Sequence, residues 1–142
     1  SGLALWGFLH LAGGVIPVPA AWVATDDLTP VLYDVRPISY LPKYDQIVHA
    51  LGFGISLLAA YEALQAHFKK ALPLNLPIAA TLMLIAMGLG AVNELIEFAA
   101  VVLIPNTNVG GYMNTGWDLV SNATGALIAL LYLRLKAGKV SR

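Results

Sequence analysis

The run from Pro77 to Ile104 is long and apolar enough to cross a bilayer, yet towards its end it holds Asn93, Glu94 and Glu97. A crossing helix needs about 20 predominantly apolar residues. An ionised carboxylate at the centre of such a helix costs roughly 2.5–3.5 kcal/mol or more, so it persists only when paired, protonated or metal-bound. Glu94 and Glu97 stand at i and i+3 and share one helix face. That face must be buried against polar groups, and the other helices must supply them.

Three further apolar runs flank this one. They predict an all-α integral membrane bundle of about four transmembrane segments in a single domain over residues 1–142. The expected helices cover about 3–17, 45–67, 77–104 and 116–135, with an outer loop over 25–44. Pro17 removes a backbone donor and should end the first helix. Only 11% of residues are charged, against about 25% in soluble domains. The formal net charge of zero gives no basis for a nucleic-acid partner. The absence of cysteine excludes disulfides, thiolate metal sites and cysteine nucleophiles. No Ser-His-Asp arrangement can be built: Ser56 and Ser121 lack activating spacing, and Ser39 falls in the loop. The chain enters an apolar run at Ser1 without a methionine or a positive region, unlike a signal peptide. It is expected to start inside or just before a helix, with earlier residues missing.

Charge distribution sets the topology. Lys69-Lys70 and the tail from Arg134 to Arg142 hold most of the basic residues and are separated by two helices. The positive-inside rule puts both on the cytoplasmic side, with Asp34 and Asn108 outside. Asp45 and His49 (i, i+4) then lie at the outer end of the second helix, and Asp118 and Asn122 (i, i+4) at that of the fourth. Glu97 and Glu94 lie roughly 10–15 Å below the outer end of the third, at 1.5 Å per residue. Three polar faces therefore meet at one level. Gly52, Gly54, Ser56, Gly88, Gly90, Gly125 and Ala126 permit close helix approach. His10 is expected to hydrogen-bond between helices, Glu62 to snorkel to the inner surface, and Tyr33, Tyr40 and Tyr44 to join an interfacial belt.

Asp45, His49, Glu94, Glu97, Asp118 and Asn122 thus form one candidate site. Carboxylates, an imidazole and an amide suit Mg, Mn, Ca or Zn. Without a cation, four neighbouring carboxylates cannot all remain ionised. A divalent ion, a shared-proton network, or Arg36 or Lys43 folding back from the loop would each relieve the repulsion. The bland alternative is a scaffold of interhelical hydrogen bonds, worth on the order of 0.6 kcal/mol each.

Three stretches carry a family resemblance: Tyr44-Asp45-Gln46-Ile47-Val48-His49, Asn93-Glu94-Leu95-Ile96-Glu97-Phe98, and Asp118-Leu119-Val120-Ser121-Asn122-Ala123-Thr124-Gly125. Their order on successive helices resembles the three motifs of VanZ-like membrane proteins. The pattern is more similar to a sister group of uncharacterised bacterial inner-membrane proteins, known only as a domain of unknown function. That group shares the Glu-x-x-Glu, and its upstream His with following glycines resembles His10-Leu11-Ala12-Gly13-Gly14. Its members usually carry additional N-terminal helices. VanZ-like proteins often place an arginine before the last motif, where this chain has Gly110-Gly111-Tyr112-Met113-Asn114. The resemblance implies a multi-pass protein of the bacterial inner (plasma) membrane with a cytoplasmic C-terminus. The expected function is an outward-facing polar pocket that binds a divalent metal ion and acts on a lipid-linked or envelope substrate. The alternative is a non-enzymatic accessory subunit of a larger membrane complex. The expected partners are membrane lipids and other membrane subunits.

Overall fold

Proline and polar caps decide where the helices begin and end. The computed structural model describes residues 2–23, 30–38, 40–105, 107 and 109–140, with side chains to 137. Asp26, Asp27, Ser39, Asn108 and Arg142 lie outside the described residues. Helix α1 spans Gly2–Val15, α2 Tyr44–Phe68, α3 Leu76–Leu103 and α4 Tyr112–Val140. Helix α1 stops two residues before Pro17. Helix α2 follows Pro42 and is capped when the Gln46 side chain accepts from the Lys43 N–H at 3.0 Å. Asp45 is a first-turn residue of α2. Asn75 caps α3 by accepting from the Ile78 N–H at 3.2 Å, with Pro77 in the first turn, where a missing N–H costs nothing.

Helices α2, α3 and α4 are long and apolar enough to cross a membrane, while α1 has 14 residues, about 21 Å of helix. Helix α4 begins four residues earlier than its apolar pattern predicts. The Asn114 N–H closes on the Gly111 carbonyl at 2.8 Å, so Asn114 lies on α4 one turn before Asp118.

The bundle is layered along its axis. The half nearer Lys69-Lys70 is apolar: Leu57, Leu82, Ala86, Ala126 and Leu130 are buried there in one cluster. Leu84, Leu95, Val102, Leu103 and Leu135 are exposed on the outside of the helices, where lipid covers them. The other half holds the buried polar residues. Between the layers, α2 and α4 touch backbone to backbone. A Cβ added to Gly54 would lie 3.0 Å from the Gly125 carbonyl oxygen, and one added to Gly125 would collide with the Ala50 carbonyl.

The connection from α1 to α2 is pinned to the end of the bundle that holds the buried polar residues. Val18 N–H bonds the Pro30 carbonyl at 3.1 Å and Leu32 N–H the Ile16 carbonyl at 3.0 Å, around an antiparallel bridge of Pro17 and Val31. A 3-10 turn over Leu32–Asp34 follows, and it aims Tyr33 at α1.

Candidate functional site

His49 is the centre of the polar layer. It is fully buried one turn into α2, and its Nδ1 lies 3.0 Å from Asn122 Oδ1 on α4. Asp45, a turn earlier on the same face, places Oδ1 3.5 Å from His49 Nε2. Helix α3 closes the third side, with Glu94 Oε1 3.7 Å from His49 Nδ1 and Glu97 Oε1 3.8 Å from His49 Nε2. Asp118 is fully buried on α4. The Asn114 amide donates to both Asp118 Oδ2 at 2.6 Å and Asp45 Oδ2 at 3.0 Å. The amide of Asn93 donates to Glu97 Oε1 at 2.8 Å, an i, i+4 bond that holds the carboxylate in place. All six candidate residues read from the sequence therefore lie in one cluster.

Two residues join this cluster that the motif spacing does not identify. His10 on α1 reaches it, with Nε2 3.5 Å from Glu97 Oε1 and its ring 5.4 Å from that of His49. Tyr33 holds it there: the phenol donates to the His10 carbonyl at 2.6 Å, and its oxygen lies 3.0 Å from His10 Nδ1. Gly13 must lack a side chain, because a Cβ there would strike the Tyr33 ring. Burial, then the carboxylates of Asp45, Glu97 and Asp118, push the Tyr33 phenol well above its ordinary range. It remains a protonated donor throughout the physiological range. Trp6 stacks on the outer face of His10 at 5.6 Å. In the sequence His10 reads as an interhelical hydrogen-bonding residue and carries the His-x-x-Gly-Gly resemblance, but neither places it against Glu97. Tyr33 and Asn114 carry no comparable signal.

The site is rich in negative groups and poor in positive ones. Among the described residues, no Lys or Arg pairs with Asp45, Glu94, Glu97 or Asp118. Lys43 pairs with Asp34 at 3.3 Å, and Arg36 donates to the Leu41 carbonyl at 2.9 Å. Neither takes the counter-charge role that the sequence leaves open to it. His49 Nε2 and Asp118 Oδ1 are buried without a hydrogen-bond partner, and so is the Asn122 Nδ2 donor. Three sets of donor atoms lie within 4.8 Å of one another: His10, His49 and Glu97; Asp45, His49 and Asp118; and Glu94, Glu97 and Asp118. Lone pairs so crowded and unsatisfied can be reconciled by protons or by a cation.

Beside the cluster, Trp6, Phe53, Ser56, Leu89 and Asn93 border an apolar groove of about 530 Å³.

The model of a family described as "Predicted membrane protein (DUF2238)" matches residues 2–138, nearly the whole chain. No curated protein and no solved structure matches it.

Proposed function

The chain belongs to that membrane-protein family, and from this premise we propose that its polar layer is an intramembrane binding site for a divalent metal ion. The ligand field is Asp45, His49, Glu94, Glu97, Asp118 and Asn122, and the site acts on a lipid-linked or envelope substrate. One observation carries the reading. Four carboxylates and two imidazoles converge with no Lys or Arg among them, and several of their buried atoms lack partners. A hydrogen-bonded scaffold has no need to leave such atoms bare, because each costs about 1–3 kcal/mol. A divalent ion relieves those that reach it. The apolar groove that begins at Asn93 supports a substrate with a lipid portion. The motif order shared with VanZ-like proteins is consistent with a role in the bacterial envelope.

Elemental analysis is the direct test. Purified protein should carry a divalent ion in roughly stoichiometric amount. Glu97→Gln should lose it, because the change removes charge while keeping size. A metal-free wild type, after purification without chelator and after back-loading, would sink the reading and favour the accessory-subunit alternative.

The same reading needs the site to face the outside of the inner membrane, as the Lys and Arg distribution supports. Cysteines placed singly at Lys70 and Thr107 of this cysteine-free chain should differ in intact cells. An impermeant thiol reagent should label position 107 and spare position 70. Equal labelling would overturn the orientation.

A further inference from the structure

We propose that the ion is of the zinc class, held by His10 Nε2, His49 Nε2 and Glu97 Oε1, with Tyr33 as the positioning residue for His10. The inference rests on the metal-site reading above and deepens it by naming the ligand atoms and the kind of ion.

The argument starts from where the hydrogens must be. A tyrosine hydroxyl has one proton. In Tyr33 it goes to the His10 carbonyl at 2.6 Å, so the phenol oxygen can only accept from His10 Nδ1 at 3.0 Å. His10 therefore carries its proton on Nδ1 and a lone pair on Nε2. His49 Nδ1 faces Asn122 Oδ1, an acceptor, at 3.0 Å. With the Asn122 amide in this orientation His49 carries its proton on Nδ1, and its Nε2 is a buried lone pair that faces the oxygens of Asp45 and Glu97.

Both lone pairs face Glu97 Oε1, at 3.5 Å from His10 and 3.8 Å from His49. Three electron-pair donors thus confront one another, which is repulsive unless a metal ion or an added proton sits between them. Zinc ligands stand 2.0–2.2 Å from the metal, so tetrahedral neighbours lie about 3.4 Å apart. The two observed separations are close to that, and one ligand atom from each of His10, His49 and Glu97 falls within 4.8 Å of the others.

The arrangement also has the outer support of a metal site. A metal-bound histidine characteristically gives its second N–H to an oxygen that fixes the ring. Here Tyr33 Oη and Asn122 Oδ1 serve the two imidazoles. Imidazole donors suit Zn, Cu, Fe and Ni, whereas Mg and Ca take oxygen. Three protein ligands leave one position for water or substrate, the pattern of catalytic zinc sites. Asp45 Oδ1, 3.5 Å from His49 Nε2, borders that position.

Cobalt titration of the metal-stripped protein in detergent provides the test, since tetrahedral Co²⁺ absorbs visibly and zinc displaces it. Wild type should bind Co²⁺ and Zn²⁺ in preference to Mg²⁺ and Ca²⁺. His10→Ala should weaken Co²⁺ binding by more than 100-fold. Tyr33→Phe should weaken it by about 10–100-fold, the usual effect of losing an outer partner, while the metal-free protein stays folded with a melting temperature lowered by only a few degrees. Should His10→Ala fail to fold, Cu²⁺ electron paramagnetic resonance on wild type counts the coordinated nitrogens. Two support the assignment, and fewer overturn it. If His10→Ala binds as wild type while Glu97→Gln does not, the metal site stands and this ligand set falls. Selective binding of Mg²⁺ or Ca²⁺ has the same consequence. Failure of every ion to bind removes the proposed function itself.

Discussion

Gly125→Val is expected to be among the most damaging single changes in the bundle, destabilising it by 3 kcal/mol or more and abolishing metal binding. The added Cβ would collide with the Ala50 carbonyl, which is backbone and cannot swing aside. Overpacking a core usually costs about 1–3 kcal/mol because side chains adjust. Here two helices must separate instead. Ala50 adjoins His49, and Gly125 stands three residues from Asn122, so the separation falls on the 3.0 Å contact between those two side chains. Gly116→Ala is the matched control. Nothing lies within 4 Å of a Cβ at Gly116, and alanine gains up to about 1 kcal/mol over glycine inside a helix. Thermal melting in detergent, with metal content measured on the same samples, checks both. If Gly125→Val melted and bound metal like wild type, the close approach of α2 and α4 would be wrong.

The bundle was legible from hydropathy because a lipid-facing helix must be apolar over a length the bilayer sets. Helix boundaries were legible where proline dictates them, as at Pro17, Pro77 and Pro105. The start of α4 was not. Gly110, Gly111 and Asn114 are poor helix formers, and the turn there forms because the Asn114 amide binds Asp118 on its own helix and Asp45 on α2. That contact is tertiary and invisible to local propensity.

The same division runs through the site. Spacing of i, i+3 and i, i+4 fixes which residues share a face, and rise per residue fixes their depth. Together these bring Asp45, His49, Glu94, Glu97, Asp118 and Asn122 to one level. Neither fixes what lies opposite a face. His10 on α1 read as one polar group among apolar neighbours, since nothing local shows that it reaches Glu97. The position of Tyr33 depends on the Pro17–Val31 bridge, a pairing across a polar connection with no periodicity to betray it. Arg36 and Lys43 were plausible counter-charges by composition alone. Their bonds to Leu41 and Asp34 within the same connection remove them.

The second large effect is a change of sign. Glu97→Gln should leave the metal-free protein as stable as wild type or more so, yet make the metal-loaded protein less stable. In the ion-free state Glu97 Oε1 faces the lone pairs of His10 Nε2 and His49 Nε2. A glutamine that places its NH₂ at the Oε1 position donates to the two imidazoles, converting repulsion into donation, in exchange for the bond from Asn93, which uses that same atom. It also removes one of four clustered carboxylates. With metal the balance reverses, because the variant has lost an anionic ligand. An ion at about 100 times its Kd stabilises the folded state by about 2.7 kcal/mol through mass action. For a chain of this length that corresponds to a Tm increase on the order of 10 °C. Wild type should show that increase on adding metal and lose it with chelator, and Glu97→Gln should show neither. A protonated scaffold predicts something else. There the substitution is nearly isosteric with the acid it replaces, costs well under about 2 kcal/mol, and shifts Tm equally with and without metal. Melting curves of both proteins, each metal-free and metal-loaded, separate the two: crossed responses require an ion at Glu97, and parallel ones dismiss it.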